Sequence, residues 1–195
     1  MTHIEEALAE LQRVLEPHAD TRDWSLPAGP PEQPMEWSCW DTAAHIAHDL
    51  AAYAGQLAAL PEDVYLPFDL VVRPGTAPRE VLRVIRAAGG MLTSALATST
   101  PDARAFHWGP CDPTGFEAMG VAETVLHTYD ITQGLGVPWT PPARSATLVL
   151  ERLFPDAPSA PASDPAEVLL WCTGRGELPG HKRLTSWVWQ AAREG

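Results

Sequence analysis

Basic charge is what this sequence has least of. Thirteen Lys and Arg stand against 25 Asp and Glu, a formal net charge of −12 over 195 residues. Nucleic acid and anionic membrane surfaces attract basic patches, so neither is an expected partner. Cysteine is also scarce. Cys39, Cys111 and Cys172 are odd in number, far apart, and form no Cys-x-x-Cys pair. That excludes a disulfide framework and points to a reducing compartment. No apolar run reaches the roughly 18 residues of a transmembrane helix. The first residues carry neither the basic nor the apolar stretch of a signal peptide, so a cytoplasmic location is expected. Internal repeats are absent. The glycine-rich pieces match no phosphate loop, because Gly134-Leu-Gly136 lacks a third glycine and ends a helical pattern rather than starting one.

What is present is apolar and helical. Hydrophobic residues make up 45% of the chain, enough for a sizeable core. The length suits one domain with an elaboration. Eight tryptophans point to aromatic packing in a core or to an aromatic-lined pocket, and any left exposed would favour a homodimer over a monomer. A capping-box pattern at Thr2 and Glu5 opens a helix over 2–16 with the stripe Ile4, Leu8, Leu11, Leu15. Ser38 and Asp41 open a second over 38–60, whose seam is Cys39, Ala43, Ile46, Leu50, Tyr53, Leu57. A third covers 77–98, with Gly89-Gly90 either weakening it or admitting a close neighbour. A fourth runs to Gly136, with Thr114 and Glu117 as its expected capping box and Gly134, Gly136 and Pro138 as its stop.

Four such amphipathic helices read as a four-helix bundle over 1–139. Residues 140–195 read as a proline-punctuated extension packed on it, with proline clusters at 138–142 and 155–165 and short helices over 143–154 and 165–171. The tail 183–190 is rich in β-formers and is an expected strand, with 104–109 as its partner. The fold class is therefore mainly α, with room for two short strands.

One helix face is chemically unusual. Glu123, His127 and Asp130 fall at i, i+4 and i+7, within about 60° of one another on a helix. Their neighbours on that side are Phe116, Met119, Gly120 and Leu126. Acids and a histidine inside an apolar face need compensation. Either a divalent metal supplies it, since carboxylate and imidazole are both ligands, or the residues form a buried Glu–His–Asp hydrogen-bond network. A metal needs a third ligand from elsewhere. The second helix offers His45, at the flank of its apolar seam, and His48, on the opposite side. Helical geometry favours His45, with Asp49 one turn on as a hydrogen-bond partner for its imidazole. The alternative is that both are surface histidines.

The stretches WSCWDTAAHIAHDLAAYAGQLA (37–58) and MGVAETVLHTYDITQGLGVPW (119–139) resemble the DinB superfamily. More narrowly, they resemble the branch containing mycothiol-dependent maleylpyruvate isomerase and related thiol S-transferases. The resemblance covers residues 1–139. It implies a four-helix bundle with a divalent metal, zinc in the first instance, held by His45, Glu123 and His127. It also implies a mycothiol-like thiol as co-substrate and a small electrophile as substrate. Other DinB-like proteins carry a second histidine where this chain has Glu123, which places it nearer the mycothiol branch. The last third matches that isomerase poorly.

Such a site lowers the pKa of a bound thiol or water. A thiolate then adds to an alkene for cis–trans isomerisation, or displaces a leaving group. Hydrolysis by activated water and non-catalytic sequestration of a small molecule remain open on the same residues. Asp130 is a candidate catalytic residue that orients His127 or acts as a base, against a structural role at the helix end. His107 is a second catalytic candidate, reaching the open metal position or the substrate from its loop; most lone loop histidines do neither. Arg175 and Arg183 are candidate carboxylate clamps, Arg175 for the cofactor, against ordinary solvated arginines. Cys39 is expected in the core and Cys172 packed, while Cys111 lies in a loop where it can be exposed.

Overall fold

The computed structural model describes residues 1–158 and 164–192. Six α-helices carry the described residues: α1 (His3–Leu15), α2 (Cys39–Ala59), α3 (Pro78–Thr98), α4 (Pro113–Leu135), α5 (Ala143–Leu153) and α6 (Pro165–Cys172). Two short antiparallel strands, β1 (Ala105–Phe106) and β2 (Pro110–Cys111), precede α4. The fold is mainly α, as expected. The expected proline cluster over 155–165 lies partly outside the described residues. No helix among those described is long and apolar enough to cross a membrane.

The helix starts follow from capping chemistry. Thr2 and Ser38 each accept from the backbone N–H three residues on, and Glu5 and Asp41 reach back to the cap backbone. At α4 the expected box of Thr114 and Glu117 is replaced. Asp112 is the cap, Pro113 holds the first helical position, and the Asp112 carboxylate accepts from Gly115 N–H at 2.7 Å and from the Thr114 hydroxyl at 2.9 Å. Proline favours that first position, where its missing N–H costs nothing.

α2 packs against α3 and α4, and α1 against α4 and α3. α5 then lies on α4 and α6 on α5. Covered from both sides, α4 is buried around nearly its whole circumference. That is why the polar residues on its face lie in the interior. Two glycines serve close approach. A Cβ at Gly89 would collide with Leu8 of α1, and one at Gly134 would collide with the Pro27 carbonyl and the Cys39 sulfur. Gly134 thus belongs to the last turn of α4, and the left-handed Gly136 ends it.

The tail does not form the expected strand. β1 pairs instead with β2, across a tip in which Trp108 (φ 57°) and Gly109 (φ 135°) take positive φ. The tail's expected partner segment is taken by β2, and the end of the tail is tied to α5 instead. Gln190 N–H donates to the Leu153 carbonyl at the end of α5, and Arg152 donates to the carbonyls of Gln190 and Ala191. Cys111 is also corrected: it is fully buried on β2, not exposed in a loop. Burial pushes the thiols of Cys39 and Cys111 up to about 12 and that of Cys172 to about 11, so none is a thiolate at neutral pH.

Candidate metal centre

Across the α2–α4 contact, His45, Glu123 and His127 bring three donor atoms within 4.8 Å of one another. Glu123 Oε2 lies 3.1 Å from His127 Nε2 and 3.9 Å from His45 Nε2. Those separations bracket the edge of a tetrahedron with ~2.05 Å bonds, roughly 3.3 Å. Two imidazoles and a carboxylate at this spacing fit a divalent ion. His48 stays outside the group; its ring stacks on that of His45, with centroids 6.3 Å apart.

Each α4 donor is anchored from behind. The Tyr53 hydroxyl donates to Glu123 Oε1 at 3.1 Å, leaving Oε2 toward the centre. Tyr53 lies two turns beyond His45, so one helix supplies both a donor and the anchor of another. Asp130 Oδ2 lies 3.0 Å from His127 Nδ1. An ionised Asp130 only accepts, so Nδ1 carries the proton and Nε2 faces the centre. Arg175 grips Asp130 with a fork: Nε donates to Oδ1 at 2.9 Å and Nη2 to Oδ2 at 2.7 Å. The Glu–His–Asp hydrogen-bond network weighed from the sequence is therefore present, and it holds the donors in a ligating arrangement.

Asp49 contacts His45 on the metal-facing nitrogen. Its Oδ2 is 3.1 Å from His45 Nε2, on the inner side of the imidazole rather than behind it. Burial and the neighbouring Glu123 charge raise the Asp49 pKa. Burial opposes the charge of Glu123 as well, but the hydrogen bond and charge of His127, with the Tyr53 hydrogen bond, hold it below the usual carboxylate range. Burial also opposes the charge of His127, yet its bonds to Asp130 and Glu123 outweigh that and push it up to about 9. For His45, burial and the nearby His127 charge outweigh the opposing pull of Glu123 and bring it down to about 4. The site thus holds one imidazolium, His127, against Glu123, with a neutral His45.

His45 is the most exposed donor, with 28% of its side chain accessible against 8% and 12% for Glu123 and His127. The centre is reached from that side, where the half-exposed Trp37 ring lies 4.6 Å from the His45 ring. His107 is at the β1–β2 tip. It is buried edge-on against Tyr53, Tyr65 and Phe116 and makes no hydrogen bond to the three donors. Burial holds its pKa down to about 4, and its Nδ1 has no hydrogen-bond partner among the described residues. Arg183 donates to Gln33 Oε1 and the Gly174 carbonyl.

Sequence reasoning missed Tyr53, which reads as one more seam residue. Its eight-residue spacing from His45 was the available signal. No family model, curated protein or solved structure matches the chain.

Proposed function

We propose that this chain is a metal-dependent enzyme of the DinB type. It activates a low-molecular-weight thiol, mycothiol or a relative, for isomerisation or S-transfer on a small electrophile. The convergence of His45, Glu123 and His127 on one point, with Glu123 and His127 anchored from behind, carries this reading. The resemblance of residues 37–58 and 119–139 to the mycothiol branch supports the choice of thiol.

Zinc bound there would lower the pKa of a thiol at its open position. Asp130 and Tyr53 keep His127 and Glu123 in place without rearrangement. The thiol proton passes to solvent, because Asp49, 3.1 Å from His45 Nε2, is raised to about 8 by burial and the Glu123 charge and keeps its own proton at neutral pH. The sulfur then bonds to the electrophilic carbon. Either a leaving group departs with the displaced electron pair, or the π electrons of an activated alkene move onto its conjugated carbonyl. In the second case the adduct rotates about the resulting single bond, and return of those electrons expels the thiolate.

The test supplies zinc-loaded protein with mycothiol and either an activated cis-alkene or an alkylating electrophile. Metal-dependent product that disappears in His127→Ala supports the proposal. Stoichiometric binding of the thiol or electrophile without product would make the chain a binding bundle instead.

A further inference from the structure

Arg175 belongs to the C-terminal extension, far in sequence from the donors. It sits in the turn that ends α6, where the backbone N–H groups of Arg175 and Gly176 both donate to the Leu170 carbonyl. Gly174 allows that turn with φ 70°. The guanidinium is held in one orientation by its neighbours. Nη1 donates to the Thr173 carbonyl at 3.3 Å, and the Trp187 ring centroid lies 5.8 Å from Cζ. Its remaining edge makes the two bonds to Asp130 described above. Only 15% of the Arg175 side chain and 4% of the Asp130 side chain are accessible. The pair is therefore a desolvated, bidentate ion pair, the geometry in which Arg cannot be replaced by a point charge.

The consequence passes along the bonds. Asp130 Oδ2 accepts from both Arg175 Nη2 and His127 Nδ1. Without Arg175, a buried carboxylate would lose the bidentate fork that fixes both its oxygens. Freed from the fork, it would turn away, and that removes the acceptor that fixes the His127 ring with Nε2 toward the centre.

We propose that Arg175 is a positioning residue for the metal centre, so that the extension controls how tightly the bundle holds its metal. This rests on the metal-centre reading above.

The experiment measures zinc affinity of the full chain by chelator competition, with the visible spectrum of the cobalt-substituted protein as a geometric readout. Circular dichroism checks the fold of each variant. Arg175→Gln is expected to weaken zinc binding by about 10- to 100-fold and to shift the cobalt bands. Asp130→Asn should do the same, and the double variant should be no weaker than the worse single one. Arg175→Lys keeps the charge but not the fork, so it should fall between. Arg86→Gln, exposed on α3 and making none of these contacts, should match wild type.

The inference is overturned if Arg175→Gln binds zinc like wild type, or if its loss multiplies with that of Asp130→Asn. Should Arg175→Gln fail to fold, wild-type affinity in Arg175→Lys overturns it equally. A wild-type chain that binds no zinc overturns the metal centre and this inference together; zinc binding unmoved by Arg175 variants overturns this inference alone.

Discussion

Glu123 and His127 face each other at 3.1 Å, and each is gripped by a residue that never touches the centre. Tyr53 holds the one and Asp130 the other. Tyr53→Phe deletes only a hydroxyl, leaving Glu123 Oε1 buried without its donor. Hydrogen bonds to charged groups are worth about 1.5–3 kcal/mol. Chemical denaturation of the metal-free protein should show a loss of that order, and zinc affinity should drop several-fold. An unchanged denaturation midpoint would mean that the hydroxyl does not hold Glu123.

The protonation of His127 gives a second expectation. Metal-free, its Nε2 carries a proton up to about pH 9, and a metal must displace it. His45, at about 4, is already neutral and releases none. Zinc affinity should therefore rise by at least about tenfold per pH unit between pH 6 and 8, one proton leaving His127 for each metal bound. Titrations across that range check it, and a flat affinity contradicts it.

At the scale of elements, α4 shows what could be read in advance and what could not. The stripe of Glu123, His127 and Asp130 was legible because polar residues at helical spacing stand out in an apolar segment. The start of α4 was not. Thr114-x-x-Glu117 fits a capping box, yet Asp112 with Pro113 behind it competes for the same turn, and only packing decides. Arg152 of α5 decides it, donating to Asp112 Oδ1 at 2.8 Å. Asp112→Ala should cost more than Thr114→Ala. A lost cap is worth about 1 kcal/mol, and Arg152 would also be left in the interior without its carboxylate.

Burial tends to raise the Asp112 pKa, but Arg152, the Gly115 N–H and the Thr114 hydroxyl outweigh it and hold the carboxyl below its usual range. A group depressed in the folded state contributes stability above its unfolded pKa and loses it as pH falls through the folded one. The acid limb of the stability profile, below about pH 4, should flatten in Asp112→Asn. An unchanged acid limb would assign it to other carboxylates.

At the scale of the whole molecule, the Arg175–Asp130 pair crosses the boundary expected near residue 139. The bundle was legible from four stripes and two capping boxes, and His45 from its place on the flank of a seam. Arg175 as the partner of Asp130 was not legible. The two lie 45 residues apart, and nothing in a lone arginine names its carboxylate. The tail misled for a related reason: its β-formers suit a strand, but its expected partner pairs with β2, and Gln190 and Ala191 are tied to Arg152 and the end of α5.

Because His45 comes from α2 and the other two donors from α4, a bound metal ties two helices of the bundle together. At free zinc 100-fold above Kd, it should add about 2.7 kcal/mol to stability. Chelation should then lower Tm by several degrees in wild type and leave Glu123→Gln unmoved.

The most direct measurement is metal content per chain after zinc loading and exhaustive dialysis. If His45, Glu123 and His127 hold a metal, wild type should retain about one equivalent while His127→Ala and Glu123→Gln retain almost none. Equal metal in all three, whether one equivalent or none, would contradict the metal centre.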